Sequence, residues 1–336
     1  MSRFGPFPDP TGQLAPDEAA HAFATMLDGG GSDEEVAAFL VALSERGETT
    51  VEIVAAAQAM RDRLIPIAAP ANAIDVCGTG GDGHHTLNVS TAVSLLVAAC
   101  DVPVAKHGNR AASSKAGAAD TLEALGMDMA AAGASAEQSL AEIGICFLFA
   151  VNHHPAMRRI QPIRQKIGRR TIFNLMGPLA NPAGVRRQLI GIARPGYVHV
   201  YAEALEMLGT EHSLIVSGDE GLDELSLAGG NEVADIGPDG VIMKRWQAKD
   251  AGLPTHPIEA IRGGDAAHNA AALRRLLQGE TGAYRDAVLF NAAAALLIAG
   301  EVESLAEGAE EAAEALDKGL ANALLNCWID FTKAAA

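Results

Sequence analysis

Residues 75–91 read DVCGTGGDGHHTLNVST, a short apolar run followed by a loop with four glycines within six residues. Such a run before a glycine loop and a polar helix start is typical of a strand–loop–helix unit, in which free backbone N–H groups approach an anion. Asp82 lies in this loop, although an anion disfavours a nearby carboxylate. The stretch predicts an α/β protein and leaves three interpretations of the loop: a dinucleotide loop, another phosphate loop, or a flexible turn.

The composition of the 336-residue chain limits the classes of function. Its formal net charge of −17 is opposite in sign to that of nucleic-acid binders, and aromatic residues, at 4 %, offer little surface for base stacking. The four cysteines form no CxxC pair, which is typical of free thiols in a reducing compartment. The N-terminus has no apolar signal core, and no segment reaches the length of a membrane span without being broken by a charged residue or a glycine. We expect a cytoplasmic protein without nucleic-acid or membrane partners.

Helical and strand patterns follow one another along the chain. Residues 16–62 have helical patterns, with capping boxes at Ser32–Glu35 and Thr49–Glu52, and Pro66–Pro70 is typical of a linker. Short apolar runs then predict strands, separated at first by helical stretches, at Ile74–Cys77, Val102–Ala105, Ile145–Val151, Leu189–Ala193 and Leu214–Val216. Asn231–Trp246 has the pattern of a hairpin, and the residues from Ala283 on are helical. Strands that alternate with helices predict a mostly parallel central sheet covered by helices.

The glycine loop matches the dinucleotide pattern G-x-G-x-x-G only in letters. An acidic residue, Asp101, does follow at about the expected distance of 20 residues. It precedes the second predicted strand, whereas the acid of a dinucleotide site follows that strand. Basic residues within Lys106–Arg110 follow the strand instead, and the P-loop pattern GxxxxGK[ST] is absent. The loop is therefore interpreted as another kind of phosphate loop.

The ends of the first two strands predict a polyphosphate pocket. The first strand leads to free N–H groups and a helix start at Asn88–Thr91, and the second leads to cations and hydroxyl groups. Because the carboxyl ends of neighbouring parallel strands lie at one edge of the sheet, these groups are expected to converge. The groups after the second strand are Lys106, Asn109, Arg110, Ser113 and Ser114.

Two adjacent carboxylates, Asp223 and Glu224, are candidates for a metal site. Mg²⁺ typically joins one or two carboxylates to substrate phosphates, and Ser90 could add a hydroxyl ligand. This hypothesis predicts that the two acids face the glycine loop. The pairs His84-His85 and His153-His154 lack zinc-ligand spacing, although the second pair follows the third strand and could line the same cleft.

The order of several motifs resembles the anthranilate phosphoribosyltransferase family over residues 15–335. The motifs are Gly78–Gly83 (GTGGDG), Asn88–Thr91 (NVST), Lys106–Leu125 (KHGNRAASSKAGAADTLEAL), Phe147–Arg158 (FLFAVNHHPAMR), Arg170–Pro182 (RTIFNLMGPLANP) and Gly221–Ser226 (GLDELS). Each motif is moderate evidence alone, whereas the ordered set is highly specific.

The resemblance implies a fold, an assembly and an activity. It implies a small helical domain over residues 1–70, joined by a segment near 165–185, and an α/β phosphoribosyl-diphosphate-binding domain over 71–336, with the active site in the hinge cleft. It implies a homodimer formed mainly through the helical domain. The implied reaction transfers the phosphoribosyl group of phosphoribosyl diphosphate to anthranilate and releases diphosphate, with Mg²⁺, two ions being expected, in tryptophan biosynthesis.

The resemblance also implies a set of site residues. The sugar donor would contact Gly78, Gly81, Asp82, Thr86, Asn88, Val89, Ser90, Thr91, Lys106, His107, Gly108, Asn109, Arg110, Ala111, Ala112, Ser113, Ser114 and Ala118. Anthranilate would contact Gly78, Asn109 and Arg164, and the metal would contact Ser90, Asp223 and Glu224. Ala118 departs from the family, which often has a serine there, so a hydroxyl contact to the donor is in doubt.

The chemistry requires positioning rather than a strong base. Arg164 would hold the carboxylate of anthranilate by a charge-assisted pair, and the neutral amine needs no strong base to attack. No residue is assigned as general base, and His107 and His154 are cleft-lining candidates only. The alternatives are a pyrimidine nucleoside phosphorylase of similar fold, a binding paralogue without this chemistry, and a dehydrogenase that rests on G-x-G-x-x-G alone.

Overall fold

The computed structural model describes residues 3–111 and 115–334. The chain begins with three helices, α1 (Pro16–Leu27), α2 (Asp33–Arg46) and α3 (Thr50–Arg61). The capping boxes predicted at the starts of α2 and α3 are confirmed, since Ser32 and Thr49 each accept the N–H of the glutamate three residues later. These caps satisfy backbone donors that a helix start otherwise leaves unpaired, so they fix where α2 and α3 begin.

A seven-stranded sheet follows, and its predicted mostly parallel character is confirmed. The strand order is β3-β2-β1-β4-β5-β6-β7, in which β1 to β5 are parallel and the hairpin β6–β7 is antiparallel. The strands are β1 (Ile74–Gly78), β2 (Val104–Gly108), β3 (Ile145–Phe149), β4 (Arg187–Gly191), β5 (His212–Gly218), β6 (Asn231–Gly237) and β7 (Gly240–Trp246). The order reverses between β1 and β4, which is the place where open α/β sheets bind ligands.

Helices cover both faces of the sheet. Alternate residues of β4 belong to different apolar cores. Leu189 packs with α4 (Val89–Ala98) and the C-terminal helices, whereas Ile190 packs with α1–α3 and α11 (Val198–Met207). This alternation follows from the two-residue period of a strand. The remaining helices are α4 (Val89–Ala98), α5 (Ala118–Ala124), α6 (Met129–Ala134), α7 (Ala136–Ile143), α8 (Ala150–His153), α9 (Met157–Ile167), α10 (Met176–Leu179), α11 (Val198–Met207), α12 (Ala266–Leu277), α13 (Ala283–Ala299), α14 (Leu305–Asp317) and α15 (Leu320–Ala334). Within the described ranges, no helix is long and apolar enough to cross a membrane.

The five predicted strands are present, but their predicted bounds are wrong. Strand β1 ends one residue later, β4 begins and ends two residues earlier, and β5 is two residues longer at each end. Strand β2 is shifted along the chain and runs to Gly108, because its residues pair one by one with Ile145–Phe149 of β3. Lys106 and His107 consequently lie inside the strand rather than after it. Strand β3 ends at Phe149, and Val151 lies in α8. Apolar side chains mark a buried segment, but the backbone partners decide where the strand starts and ends.

A later segment completes the helical region. Helix α9, the 3₁₀ turn Ile172–Asn174 and α10 contact α1–α3, and their buried side chains share one apolar core with them. Phe173 lies edge-on to Phe23 of α1, with ring centroids 6.4 Å apart. Residues distant in sequence therefore join the N-terminal helices at the side of the sheet where β1 and β4 end.

Candidate active site

The glycine loop turns directly after β1 and faces Asp223. Gly80, Gly81 and Gly83 have φ angles of 71°, 76° and 81°, in the left-handed region that favours glycine. The Gly80 N–H donates a hydrogen bond of 2.6 Å to Oδ2 of Asp223. The expected proximity of the acidic pair to the loop is therefore confirmed.

Glycines at the ends of β1 and β4 make room for the acidic pair. A Cβ on Gly78 would lie 2.2 Å from Asp223 Oδ2, and a Cβ on Gly191 would lie 1.6 Å from the Asp223 carbonyl oxygen. Both distances are far below van der Waals contact. The segment that carries Asp223 consequently lies directly on the backbone of the two central strands.

We expect Gly191→Ala to lower kcat/KM at least 100-fold, because the new methyl group must displace the backbone of Asp223 and with it the acidic pair. Overpacking of this kind costs about 1–3 kcal/mol of stability, so thermal unfolding should be followed beside the kinetics. Gly196→Ala is the matched control, since a Cβ there meets no atom within 4 Å. Wild-type kinetics for Gly191→Ala would contradict the close approach.

Glu224 caps the helix that follows the glycine loop. Its Oε1 accepts the Ser90 N–H at 3.0 Å, at the start of α4. Asn88 occupies the N-cap position, but its side chain makes no capping bond. Its Oδ1 accepts instead from Thr121 Oγ1 at 2.6 Å and Asn269 Nδ2 at 2.9 Å. Asn88 thus ties α4 to α5 and α12, and a carboxylate distant in sequence supplies the cap.

The acidic pair has the electrostatics of a cation site. Burial and the charge of Asp82 raise the pKa of Asp223 to about 7. Burial and the charge of Asp223 raise the pKa of Glu224 well above its usual value, and the buried Glu224 Oε2 has no hydrogen-bond partner among the described residues. A cation between these oxygens would offset their repulsion and give Oε2 a partner. Within residues 3–111 and 115–334, no group of three His, Cys, Asp or Glu residues is placed to hold a metal ion. Mg²⁺ sites typically use one or two carboxylates, with waters and substrate phosphates as the other ligands.

The end of β2 places a lysine and a histidine beneath the loop. Lys106 is 2 % exposed, and its Nζ donates to Val76 O at 2.8 Å and to Ser90 Oγ at 3.4 Å. Burial lowers the pKa of Lys106, while the nearby Asp75 opposes that change. The lysine lies between β1 and α4, so its charge lies beside the hydroxyl group of Ser90.

His107 and His154 form a buried pair. His107 Nδ1 donates to Gly177 O at 2.9 Å, and the two Nε2 atoms are 3.2 Å apart. Burial lowers the pKa of His107 to about 3 and that of His154 to about 4. Both imidazoles are therefore neutral at pH 7, and neither has the pKa near neutrality that suits a general base. His153 turns away, since its Nδ1 bonds to Ile65 O at 2.9 Å.

The loop after β2 is only partly described. Arg110 forms ion pairs with Asp120 (2.9 Å) and Glu123 (2.7 Å), so its charge already has partners in this state. Asn109 Oδ1 accepts the Arg110 N–H at 2.8 Å. Ala118 is the first residue of α5. The predicted donor contacts Ala112, Ser113 and Ser114 lie outside the described residues.

Arg164 is a partly buried cation without an acidic partner in the described part of the chain. It lies in the last turn of α9, and its Nη1 donates only to Gln161 Oε1, at 3.3 Å. No carboxylate of residues 3–111 or 115–334 lies within ion-pair distance of it. Burial lowers its pKa. A half-buried guanidinium of this kind is suited to an anionic ligand.

Two residues with roles in the site were not assigned from the sequence. Asp75 is fully buried in β1 and accepts the His107 N–H at 3.2 Å and Asn181 Nδ2 at 2.8 Å. Arg170 donates from Nη2 to Gly80 O at 2.7 Å and from Nη1 to Gly81 O at 3.3 Å. In the sequence, Asp75 is marked only as an acid within an apolar run, and Arg170 only as the first residue of the RTIFNLMGPLANP motif.

Family models and curated relatives match nearly the whole chain. Residues 10–64 match the helical bundle domain of a glycosyl transferase family, and residues 70–322 match the a/b domain of that family. An anthranilate phosphoribosyltransferase of Sphingopyxis alaskensis is 78 % identical, over 98 % of this chain and 100 % of the relative. One of Novosphingobium aromaticivorans is 71 % identical, over 96 % of this chain and 98 % of the relative.

Solved structures have the same fold. An anthranilate phosphoribosyltransferase of Thermus thermophilus has a TM-score of 0.91 and 43 % identity, covering 96 % of this chain and 97 % of its own. The enzyme of Saccharomyces cerevisiae in complex with PRPP and Mg has a TM-score of 0.87 and 26 % identity, covering 96 % and 94 %. Its complex with 4-fluoroanthranilate has a TM-score of 0.84 at the same identity and coverage.

Proposed function

The chain belongs to the anthranilate phosphoribosyltransferase family, and we propose from that membership which of its residues bind and orient the substrates. The enzyme transfers the 5-phosphoribosyl group of phosphoribosyl diphosphate to the amine of anthranilate, releases diphosphate, and acts in tryptophan biosynthesis. The placement of Asp223 and Glu224 directly against the glycine loop is the observation that carries the residue assignments.

The sugar donor binds at the carboxyl ends of β1 and β2. Backbone N–H groups of the glycine loop and the start of α4 receive its phosphate oxygens, and Lys106 adds positive charge. The proposed contacts are Gly78, Gly81, Asp82, Thr86, Asn88, Val89, Ser90, Thr91, Lys106, His107, Gly108, Asn109, Arg110, Ala111, Ala112, Ser113, Ser114 and Ala118. Nη1 of Arg110 pairs with Asp120 and Glu123, so donor binding is expected to compete with these carboxylates for the guanidinium.

Ser90, Asp223 and Glu224 hold Mg²⁺, and two ions are proposed. The raised pKa values of both carboxyls and the unpartnered Glu224 Oε2 support a cation here, and a yeast relative was solved with PRPP and Mg. When bound, Mg²⁺ neutralises negative charge on diphosphate and makes it a better leaving group. The carboxylates also keep their protein roles, since Asp223 holds Gly80 and Glu224 caps α4.

Anthranilate is held by Gly78, Asn109 and Arg164. Arg164 binds the carboxylate and aims the amine at the anomeric carbon, because this guanidinium has no acidic partner in the described residues. The transition state is loose, with positive charge on the ribose, so catalysis consists of positioning and of stabilising the departing anion. No general base is required, in agreement with the low pKa values of His107 and His154.

Membership of the family also supports proposals about the oligomeric state and the cellular location of the protein. We propose a homodimer through the helical domain, which comprises residues 1–70 and the segment near 165–185, and an active site in the hinge cleft between it and residues 71–336. The shared core of α1–α3, α9 and α10 supports this division. The net charge of −17 supports the absence of a nucleic-acid partner, and we place the enzyme in the cytoplasm.

The test is the loss of anthranilate fluorescence when the protein is mixed with anthranilate, phosphoribosyl diphosphate and Mg²⁺. Diphosphate release should match the anthranilate consumed, and omission of either substrate should stop both signals. Phosphate-dependent cleavage of a pyrimidine nucleoside in place of this reaction would favour the phosphorylase alternative. Binding of NAD in the absence of the ribosyl donor would favour the dehydrogenase.

A further inference from the structure

Arg170 contacts carbonyl groups of the glycine loop, whereas Asp223 contacts an amide group of the same loop. Its two terminal nitrogens donate to two successive loop carbonyls, Gly80 O at 2.7 Å and Gly81 O at 3.3 Å. The same Gly80 donates its N–H to Asp223 at 2.6 Å. Carbonyl and amide groups of the loop are thus fixed by different side chains, one basic and one acidic.

The contact between Arg170 and the loop carbonyls also sets the direction of the neighbouring N–H groups. In a trans peptide the carbonyl of one residue and the N–H of the next point in opposite directions. Carbonyls of Gly80 and Gly81 that point to Arg170 therefore direct the N–H groups of Gly81 and Asp82 away from it. Neither N–H donates to any acceptor in residues 3–111 or 115–334. Successive free N–H groups after positive-φ glycines form an anion-binding concavity.

Arg170 is itself anchored to the helical region. Its carbonyl oxygen accepts a hydrogen bond of 3.0 Å from Ser44 Oγ of α2, whereas the preceding Arg169 makes only a solvent-exposed pair with Glu45, which contributes little. No carboxylate in the described ranges is within ion-pair distance of Arg170. Its side chain therefore extends from α2 to the loop carbonyls without forming an ion pair in the described residues. Burial and the nearby Arg194 lower its pKa, and the charges of Asp223, Asp82 and Glu48 oppose that change.

We propose that Arg170 is a positioning residue that aims the N–H groups of Gly81 and Asp82 at the diphosphate of the sugar donor and joins the loop to α2. The proposal rests on the donor site proposed above, and it concerns the affinity of that site for diphosphate rather than the identity of the acceptor. Arg170 acts through the loop and need not touch the donor. The planar fork of arginine suits two adjacent carbonyls, whereas lysine would reach one.

The test compares Arg170→Met and Arg170→Lys with the control Arg169→Met, which removes the neighbouring guanidinium and leaves the loop bonds intact. We expect Arg170→Met to raise KM for phosphoribosyl diphosphate, and the dissociation constant of Mg-diphosphate measured by calorimetry, about tenfold each. KM for anthranilate should change less than twofold. Arg170→Lys should recover part of the loss. Hydrogen exchange of the peptide over residues 79–85 should accelerate most in Arg170→Met, less in Arg170→Lys and not in Arg169→Met.

Unchanged diphosphate affinity in a folded Arg170→Met protein would overturn the proposal. An equal rise of both KM values, or the same effect in Arg169→Met, would also overturn it, because either result indicates a general structural role. If Arg170→Met fails to fold, the affinity and exchange data of Arg170→Lys decide. Calorimetry measures diphosphate binding without the transfer reaction, so the two proposals can fail separately. A wild-type protein that binds Mg-diphosphate but consumes no anthranilate would contradict the proposed function, and the effect of Arg170→Met on diphosphate affinity would still test the role of Arg170.

Discussion

The double substitution Asp223→Asn with Glu224→Gln is expected to lower kcat/KM about a thousandfold and to remove the dependence of activity on Mg²⁺. Both changes preserve shape, and the new amide oxygens can still accept the N–H groups of Gly80 and Ser90. What they remove is the negative charge that attracts a cation to the end of β1. A metal ion contributes several kcal/mol to the stabilisation of a departing anion, and about 4 kcal/mol corresponds to this loss.

The measurement is the initial rate at Mg²⁺ concentrations that span the wild-type optimum, together with calorimetric titration of Mg²⁺ in the presence of diphosphate. The control is Asp219→Asn with Glu232→Gln, which removes two negative charges from exposed or half-buried positions near the sheet edge. That control should retain wild-type Mg²⁺ dependence. A fully active acidic-pair mutant would contradict the metal assignment.

Much of the fold was predictable because it is encoded locally. Ser32 with Glu35 fixes a helix start within four residues, and the turn residues Pro238-Asp239-Gly240 at the centre of Asn231–Trp246 predict the observed β6–β7 hairpin. The end of β2 was not predictable in this way. Lys106 and His107 are polar and look like loop residues, yet they pair with Phe147 and Leu148 of β3, a segment about 40 residues away in the chain.

The acidic pair of the site could be predicted from the sequence, because adjacent carboxylates are a sign of cation binding in a chain with a predicted phosphate pocket. Adjacent carboxylates indicated a metal, and their proximity to the glycine loop is confirmed by the bond from Gly80. The capping of α4 by Glu224 and the support of the loop by Arg170 were not predicted. Both contacts join residues at least 90 positions apart, so no local pattern records them. Asp75 was similarly hidden, since its role depends on Asn181.

The substitution Arg164→Ala is expected to raise KM for anthranilate between about 10-fold and 100-fold, while KM for phosphoribosyl diphosphate changes less than twofold. A hydrogen bond to a charged group contributes about 1.5–3 kcal/mol, which corresponds to this range. The fold should tolerate the change, because the only hydrogen bond of the Arg164 side chain within the described residues is the one to Gln161 at 3.3 Å.

Steady-state kinetics with each substrate varied in turn separate the two affinities, and thermal unfolding checks that Arg164→Ala remains folded. The matched control is Arg158→Ala, since Arg158 is an exposed arginine of the same helix. An acceptor analogue that lacks the carboxylate makes the test sharper. The wild type should use it poorly, and Arg164→Ala should use it about as well as the wild type does, because the lost charge then has no partner. Equal losses for both substrates would mean that Arg164 supports the cleft as a whole, and the guanidinium would have to be reassigned from anthranilate recognition to the packing of α9.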